Sequence, residues 1–150
     1  MTEAGSQVVT GVTGVEHLET AGTTPDERRN AATALEVMRG FAAGDFSQVR
    51  AKLVPGATTW VLGFGPGGPS AHYAPDILPK VFCNGMHFHV HAAAADGPMV
   101  FLEWDDEATT ANGSRYANDG ISVFRFAADG RIEEYREYID PAQVRAAVDQ

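Results

Sequence analysis

The hydrophobic positions follow a helical period in the first third of the chain and a strand period afterwards. Between Thr24 and Gly44, apolar residues recur at spacings of three and four, which predicts an amphipathic helix. Thr24 is placed to cap this helix, with Pro25 at its first position and Glu27 completing a capping box. Gly44 is placed to end it, because glycine readily adopts the left-handed conformation found after helices.

A second, shorter helix and a run of strands follow. Asp45 is placed to cap the helix, whose apolar side is formed by Phe46, Val49 and Leu53. Alternating strands begin near Thr58, and the later ones are separated by turn signals at residues 96–97, 112–113 and 129–130. Helices followed by antiparallel hairpins predict an α+β fold, in which the helices cover one face of a curved sheet and enclose a pocket.

Length and composition predict one domain with a short tail. The 150 residues are 44% hydrophobic, enough for one sizeable core. We expect residues 1–23 to be a flexible tail, because they show no sustained apolar period, and residues 24–150 to form the domain. The glycine- and proline-rich segment 65–69 lacks the lysine and hydroxyl ending of a phosphate-binding loop, so we interpret it as a wall of the pocket.

Charge and cysteine content exclude several classes of partner. The formal net charge of -9 disfavours nucleic acid and anionic membranes, because the field of the protein repels both. Cys83 is the single cysteine, which excludes an intramolecular disulfide framework and a paired-cysteine metal site. The first fifteen residues lack the pattern of a signal peptide, so we expect a cytoplasmic protein.

Two strands carry polar residues on apolar faces. In the strand 99–109, alternation places Asp106 on the same face as Leu102 and Trp104, where desolvation would raise its pKa; the alternative is that this strand end is hydrated. In the strand 116–127, Asn118 and Gly120 share a face with aromatic residues, which places an amide donor and acceptor beside the core. The alternative is that the Asn118 amide has a purely structural role.

Three histidines, His87, His89 and His91, alternate along another strand and share one face. A two-residue turn at 96–97 would put them inside the sheet, whereas an odd-length loop would turn them outward. Phe88 and Val90 suit the core better, so the outward arrangement is favoured and a dedicated metal centre is not expected.

Residues 115–141 resemble the closing hairpin of the nuclear-transport-factor-2-like, or SnoaL-like, superfamily, which includes ketosteroid isomerase and limonene epoxide hydrolase. The helix opening at Thr24 and the strand 100–106 fit the same family, so the resemblance runs from about Pro25 to Val148. It implies a cone-shaped α+β fold with a pocket on the concave face of the sheet, commonly in a homodimer.

The resemblance also implies roles for individual residues. Tyr135 and Glu137 match positions that face the pocket in limonene epoxide hydrolase, where the latter is a catalytic aspartate, and Asp106 matches its second aspartate. The catalytic glutamate of the phenazine-biosynthesis branch also aligns with Glu137. A histidine near the start of a strand in scytalone dehydratase is similar in position to His87, which makes His87 a third candidate catalytic residue.

The hydrolase pattern is incomplete in this sequence. The arginine between the two aspartates corresponds to Trp104, and the water-holding tyrosine and asparagine correspond to Trp60 and Leu62. Water activation needs hydrogen-bond donors and a base, so these replacements argue against epoxide hydrolysis.

Together these observations predict a cofactor-independent acid/base enzyme acting on a small hydrophobic molecule. Glu137 and Asp106 are the candidate acid and base, with Asn118 and Tyr135 as orienting groups. The further candidate substrate-binding residues are Trp60 and Trp104, as walls that pack on the ligand, together with Leu62 and Gly120. The alternatives are a non-catalytic binding or interaction module and a hydrolase with a degenerate triad. The face opposite the pocket is expected to form the homodimer.

Overall fold

The computed structural model describes residues 8–66 and 78–149, with side chains for 8–64 and 80–149. Most of the predicted pocket wall at 65–69 and the first seven residues of the predicted tail therefore lie outside the described residues. The elements follow in the order β1 Gly11–Thr13, α1 Glu16–Glu19, α2 Pro25–Ala43, α3 Phe46–Ala51, β2 Leu53–Val61, β3 Gly65–Pro66, α4 Leu78–Val81, β4 His87–Asp96, β5 Met99–Thr109, β6 Arg115–Phe126, β7 Ile132–Ile139 and α5 Pro141–Val148.

The long helix α2 begins and ends where the sequence predicts. The Thr24 side chain accepts a hydrogen bond from the Glu27 backbone amide, and the Glu27 carboxylate accepts one from the Thr24 amide, each at 3.1 Å. Pro25 occupies the first turn, and Gly44 ends the helix at a φ of 72°. A further hydrogen bond from the Gly97 amide to Glu27 ties the start of α2 to the turn between β4 and β5. The helix is thereby fixed over the sheet.

The sheet is built on an antiparallel meander, as predicted. Strands β4, β5, β6 and β7 pair antiparallel in sequence order. The meander is extended by β1, parallel to β4, and by β2, parallel to β7, so the strand order is β1-β4-β5-β6-β7-β2-β3. The curved sheet and its helices form the cone-shaped α+β fold expected from the sequence. None of the helices in the described ranges is long and apolar enough to cross a bilayer.

Two boundaries differ from the sequence prediction. The segment 11–19, expected to be part of a flexible tail, instead adds strand β1 to the sheet edge and packs helix α1 against the core, with Leu18 only 2% exposed. A single buried leucine gives too weak a period to be recognised as a helix. Helix α3 also ends at Ala51 rather than at Leu53, because Leu53 already pairs with Ile132 of β7.

The packing of α1 generates a stability prediction. Replacing Leu18 by alanine should lower the free energy of unfolding by about 2 to 4 kcal/mol, because it removes buried methyl groups and leaves a cavity. Val9 is 81% exposed, so Val9→Ala should change it by no more than about 0.5 kcal/mol. Urea denaturation of both variants measures the difference. Equal stabilities would show that α1 is not part of the cooperative core.

Candidate functional site

The helices and the concave face of the sheet enclose a mostly apolar cavity. It lies where α2, α3 and α5 meet the inner face of strands β4 to β7. The residues that line it are Phe41, Phe46, Phe82, Met86, Phe88, Trp104, Asp106, Tyr116, Glu137, Ile139 and Val144. Two carboxyl groups therefore share an aromatic cavity, and no lysine, arginine or histidine lies among these lining residues.

The cavity is small, with a volume of about 50 Å³. A water needs roughly 10–15 Å³ of such volume, and an apolar cavity of about 150 Å³ accommodates benzene. The space therefore holds a few waters as it stands. A ligand as large as one aromatic ring requires displacement of the lining side chains.

Asp106 is the more deeply buried of the two acids. It lies on the inner face of β5, directly opposite Phe88 of β4 and Asn118 of β6, and is 4% exposed. Burial raises the pKa of this carboxyl well above its ordinary value, and the nearby Glu137 carboxylate raises it further. No described residue offers a hydrogen bond to Asp106 Oδ1. Asp106 therefore retains its proton at pH values at which an exposed aspartate has lost it.

Glu137 has a different, more polar environment. It is half-buried on the inner face of β7, paired with Ser122 of β6. The Tyr135 hydroxyl donates a hydrogen bond of 2.9 Å to Glu137 Oε1, and the same hydroxyl contacts Ser122 Oγ at 2.9 Å. The two acids of the cavity therefore have contrasting surroundings, because Asp106 is almost fully buried whereas Glu137 is half-buried and accepts a hydrogen bond from a tyrosine hydroxyl.

Asn118 is buried but has a structural role. Its side-chain amide donates to the Asp140 carbonyl and its side-chain oxygen accepts from the Asp140 amide, both at 3.0 Å. It also donates to the Tyr116 hydroxyl at 3.0 Å. Asp140 caps α5, so Asn118 fixes the helix that closes one side of the cavity. It does not line the cavity itself, in contrast to the orienting role predicted for it.

Trp104 lines the cavity as predicted, and Gly120 makes room for it. The two residues are direct partners on β5 and β6. A Cβ atom on Gly120 would lie 2.6 Å from the Trp104 ring, so only glycine lets the indole lie across this strand. Gly120 therefore shapes the tryptophan wall and does not line the cavity, which corrects its predicted substrate-binding role.

His87 does not reach the cavity. It lies on the outer face of the sheet, where its ring nitrogens contact Val9 O and Thr13 Oγ1, both at 3.1 Å. The reason is a bulge in β4. Asp96 pairs with Met99 across a two-residue turn, and that register alone would put the histidines inside, but a shift at His91 reverses the faces. The outward arrangement favoured by the sequence is correct, and a catalytic role for His87 is not.

Trp60 and Leu62 also lie outside the cavity. Val61 pairs with Glu137 and is fully buried, so its two neighbours point to the opposite face of the sheet. The Trp60 ring instead packs against Tyr138, with a centroid separation of 5.1 Å. Leu62 is 40% exposed. The predicted contacts of these two residues with a ligand are therefore wrong for this cavity.

The sequence prediction missed Tyr116 and Ser122. Both belong to the alternating set of β6 that contains Asn118 and Gly120, so the signal for their inward orientation was present. Each has a single hydroxyl group, which is a weaker indication of a polar site than the side-chain amide of Asn118. Within the described ranges, no group of three histidine, cysteine, aspartate or glutamate side chains is arranged to hold a metal ion.

Comparison with known proteins identifies the family and the fold. Residues 34–135 match the family model of the SnoaL-like domain. Among solved structures, a protein from Jannaschia sp. CCS1 described as a SnoaL-like polyketide cyclase is 18% identical, with a TM-score of 0.67 over 85% of this chain and 96% of its own. An epoxide hydrolase from M. tuberculosis, similar to limonene epoxide hydrolase, is 23% identical, with a TM-score of 0.64 over 83% and 92%.

A third similar structure is that of SalBIII, an epoxide hydrolase/cyclase-like enzyme described for pyran ring formation in the polyether salinomycin. It is 18% identical, with a TM-score of 0.63 over 80% of this chain and 97% of its own. No curated protein matches the sequence significantly. At these identities the structural matches establish the fold.

The raised pKa of Asp106 predicts a pH dependence of stability. The folded protein binds this proton more tightly than the unfolded chain does, so the unfolding free energy falls as pH rises from about 3.8 through the folded pKa. Asp106→Asn should remove this contribution. The unfolding free energy of the variant, relative to that of wild type, should therefore rise as the pH increases from the unfolded-state pKa of Asp106 to its folded-state pKa. The expected rise is about 1.4 kcal/mol for each pH unit between these two pKa values.

Urea denaturation across a pH series measures this difference. The exposed Asp96 provides the control, because Asp96→Asn should retain the wild-type pH dependence. Parallel curves for wild type and Asp106→Asn would mean that the carboxyl titrates as an ordinary exposed group.

Proposed function

The chain belongs to the SnoaL-like domain family, and on this basis we propose that it is a cofactor-independent acid/base enzyme that moves protons on a small, largely apolar molecule, by isomerisation, cyclisation or dehydration. The observation that carries the proposal is that Asp106 and Glu137 line one aromatic cavity in different environments. Desolvation favours the protonated form of Asp106, and Glu137 accepts a hydrogen bond from the Tyr135 hydroxyl.

In the proposed reaction, protonated Asp106 donates a hydrogen bond to a carbonyl oxygen of the substrate. The Glu137 carboxylate removes a proton from the adjacent carbon, and the electron pair of that C–H bond moves toward the oxygen. Where the substrate has a C=C bond next to that carbon, the electron pair returns from the oxygen, Glu137 delivers the proton to the far carbon of the C=C bond, and the double bond moves into conjugation with the carbonyl.

A neutral substrate fits this cavity best. Its lining contains two acids and no basic side chain among the described residues, so an anionic substrate would be repelled without a compensating ion pair. The phenylalanine, tryptophan and tyrosine rings provide apolar surface for a hydrocarbon skeleton.

A non-catalytic binding module is the second candidate. The cavity volume of about 50 Å³ favours an interaction module in particular, because a pocket that binds or transforms a small molecule must admit the whole molecule. Epoxide hydrolysis has less support. The lining provides no guanidinium beside the two carboxyls, and Trp60 and Leu62, which correspond to water-holding positions, lie outside the cavity.

Proton exchange in D₂O tests the enzyme proposal without knowledge of the natural substrate. Incubation with a panel of neutral mono- and bicyclic ketones should accelerate exchange of hydrogens adjacent to the carbonyl in at least one of them, as followed by proton NMR. Glu137→Gln should reduce the enzymatic rate about 10²- to 10⁴-fold, the usual contribution of a general base. Glu133→Gln, on the same strand but exposed, is the matched control and should retain the rate.

The outcomes separate the two candidates. Ketone binding, seen as line broadening or thermal stabilisation, without accelerated exchange would favour the binding module. Exchange that survives Glu137→Gln would contradict the assignment of the base.

We also propose that the outer face of the sheet forms a homodimer. Ile121 and Tyr138 are cross-strand partners on this face, exposed by 42% and 39%, and Tyr138 packs on Trp60. Phe101 on the neighbouring strand is 40% exposed. These exposed apolar side chains provide contact surface of the kind that a second copy of the chain covers.

Sedimentation equilibrium at micromolar concentration tests the dimer. The expected mass is twice the chain mass of 16.0 kDa. Ile121→Asp should yield monomers, because it places a charge in the contact, whereas Val9→Asp, at a residue 81% exposed on the N-terminal segment, should leave the dimer intact. A monomeric wild type would refute the proposal.

A further inference from the structure

Four side chains on three neighbouring strands form a continuous hydrogen-bonded chain. Trp104 Nε1 on β5 donates to Ser122 Oγ on β6 at 2.9 Å. Ser122 Oγ lies 2.9 Å from the Tyr135 hydroxyl on β7, which donates to Glu137 Oε1 at 2.9 Å. This series of hydrogen bonds therefore begins at the buried indole nitrogen of Trp104 and ends at Glu137, the acid that lines the cavity.

The chemistry of these groups fixes the direction of every proton. An indole nitrogen can only donate, so Ser122 Oγ accepts from Trp104. Tyr135 has one hydroxyl proton and uses it toward Glu137, so its oxygen accepts from Ser122. All three donors therefore point toward the carboxylate, and each bond polarises the next.

We propose that Ser122 is a positioning residue for the reaction, which sets the direction of the Tyr135 hydroxyl and thereby orients the Glu137 carboxylate. The inference rests on the proposed function, in which Glu137 is the base. Without the serine hydroxyl, the tyrosine oxygen would lose the hydrogen bond that it makes with Ser122. The tyrosine proton could then rotate away from Glu137.

The burial of Ser122 supports this role. Its exposure is 0%, and it lies directly opposite Glu137 on the adjacent strand. Among the strand residues around it, Leu102, Phe124 and Trp104 are all at most 1% exposed. A hydroxyl in such surroundings is costly unless it is bonded, and this one bonds on both sides. Gly120 contributes by leaving space for the Trp104 ring.

The indole proton of Trp104 gives a direct readout of the chain. In a Trp60→Phe background, which removes the other tryptophan, a ¹H–¹⁵N spectrum contains one indole signal. Glu137→Gln replaces a charged acceptor by a neutral one, so the Trp104 indole proton should move upfield as the polarisation of the chain decreases. The same substitution in a Ser122→Ala background should no longer move the signal.

Tyr135→Phe provides a second break that preserves side-chain volume. In this background, too, Glu137→Gln should leave the Trp104 indole signal unchanged. If Ser122→Ala does not fold, the Tyr135→Phe variant provides the test instead. Ser122→Thr retains the hydroxyl and should restore the response. If Glu137→Gln still moves the Trp104 indole signal in both the Ser122→Ala and the Tyr135→Phe backgrounds, the two residues are coupled by another route and the proposal is overturned. The proposal is also overturned if Glu137→Gln causes no shift when Ser122 and Tyr135 are both present.

Ketone exchange adds a kinetic readout. Ser122→Ala should lower kcat about 10-fold with little change in KM, corresponding to about 1.4 kcal/mol of lost transition-state stabilisation, and Ser122→Thr should recover the rate. An equal loss in both variants would indicate a purely structural role and contradict the proposal. The indole measurement needs no substrate. If Glu137→Gln does not affect the Trp104 indole signal, the positioning role of Ser122 alone is refuted. If that effect is present but no ketone shows accelerated hydrogen exchange, the proposed function is refuted.

Discussion

The burial of the Asp106 carboxyl among aromatic side chains is the constraint on which the site depends. An ionised carboxylate in such surroundings is costly, and the second carboxylate nearby increases the cost. The fold reduces this cost by favouring the protonated form of Asp106, while Glu137 is more exposed and accepts a hydrogen bond from Tyr135. Two chemically similar groups thereby lie in different surroundings, which is what an acid and a base in one cavity require.

The polar groups of the inner face divide into two hydrogen-bonded sets. Asn118 fixes the chain at Asp140, where α5 begins, and so holds one wall of the cavity. Ser122 lies two positions further along the same strand face and connects Trp104 to Tyr135. One strand therefore supports both the shape of the cavity and the orientation of its acid, because alternate residues of β6 face the same side.

Local signals in the sequence predict the elements well, whereas faces and cavity size depend on tertiary structure. The capping box at Thr24 and the hairpin turns have local causes, and the structure agrees with them. Which residues of β4 face inward depends on a bulge at His91, and no residue type at that position indicates a bulge in the sequence. A shift of one residue exchanges the inner and outer faces of the strand. Trp60 is predicted to pack on the ligand from the resemblance to the family, and only the pairing of β2 with β7 places it on the opposite face of the sheet.

Trp104 shows how one replacement changes the chemistry that the cavity can support. The resemblance to limonene epoxide hydrolase implies an arginine at this position in that enzyme, and a guanidinium there would pair with both carboxylates and keep them ionised. The indole directs its only polar atom into the sheet, toward Ser122, and presents hydrocarbon to the cavity. The negative charge must then be reduced by protonation of one acid. A cavity of this kind is suited to moving a proton on a neutral molecule, and poorly suited to activating water between two charged groups.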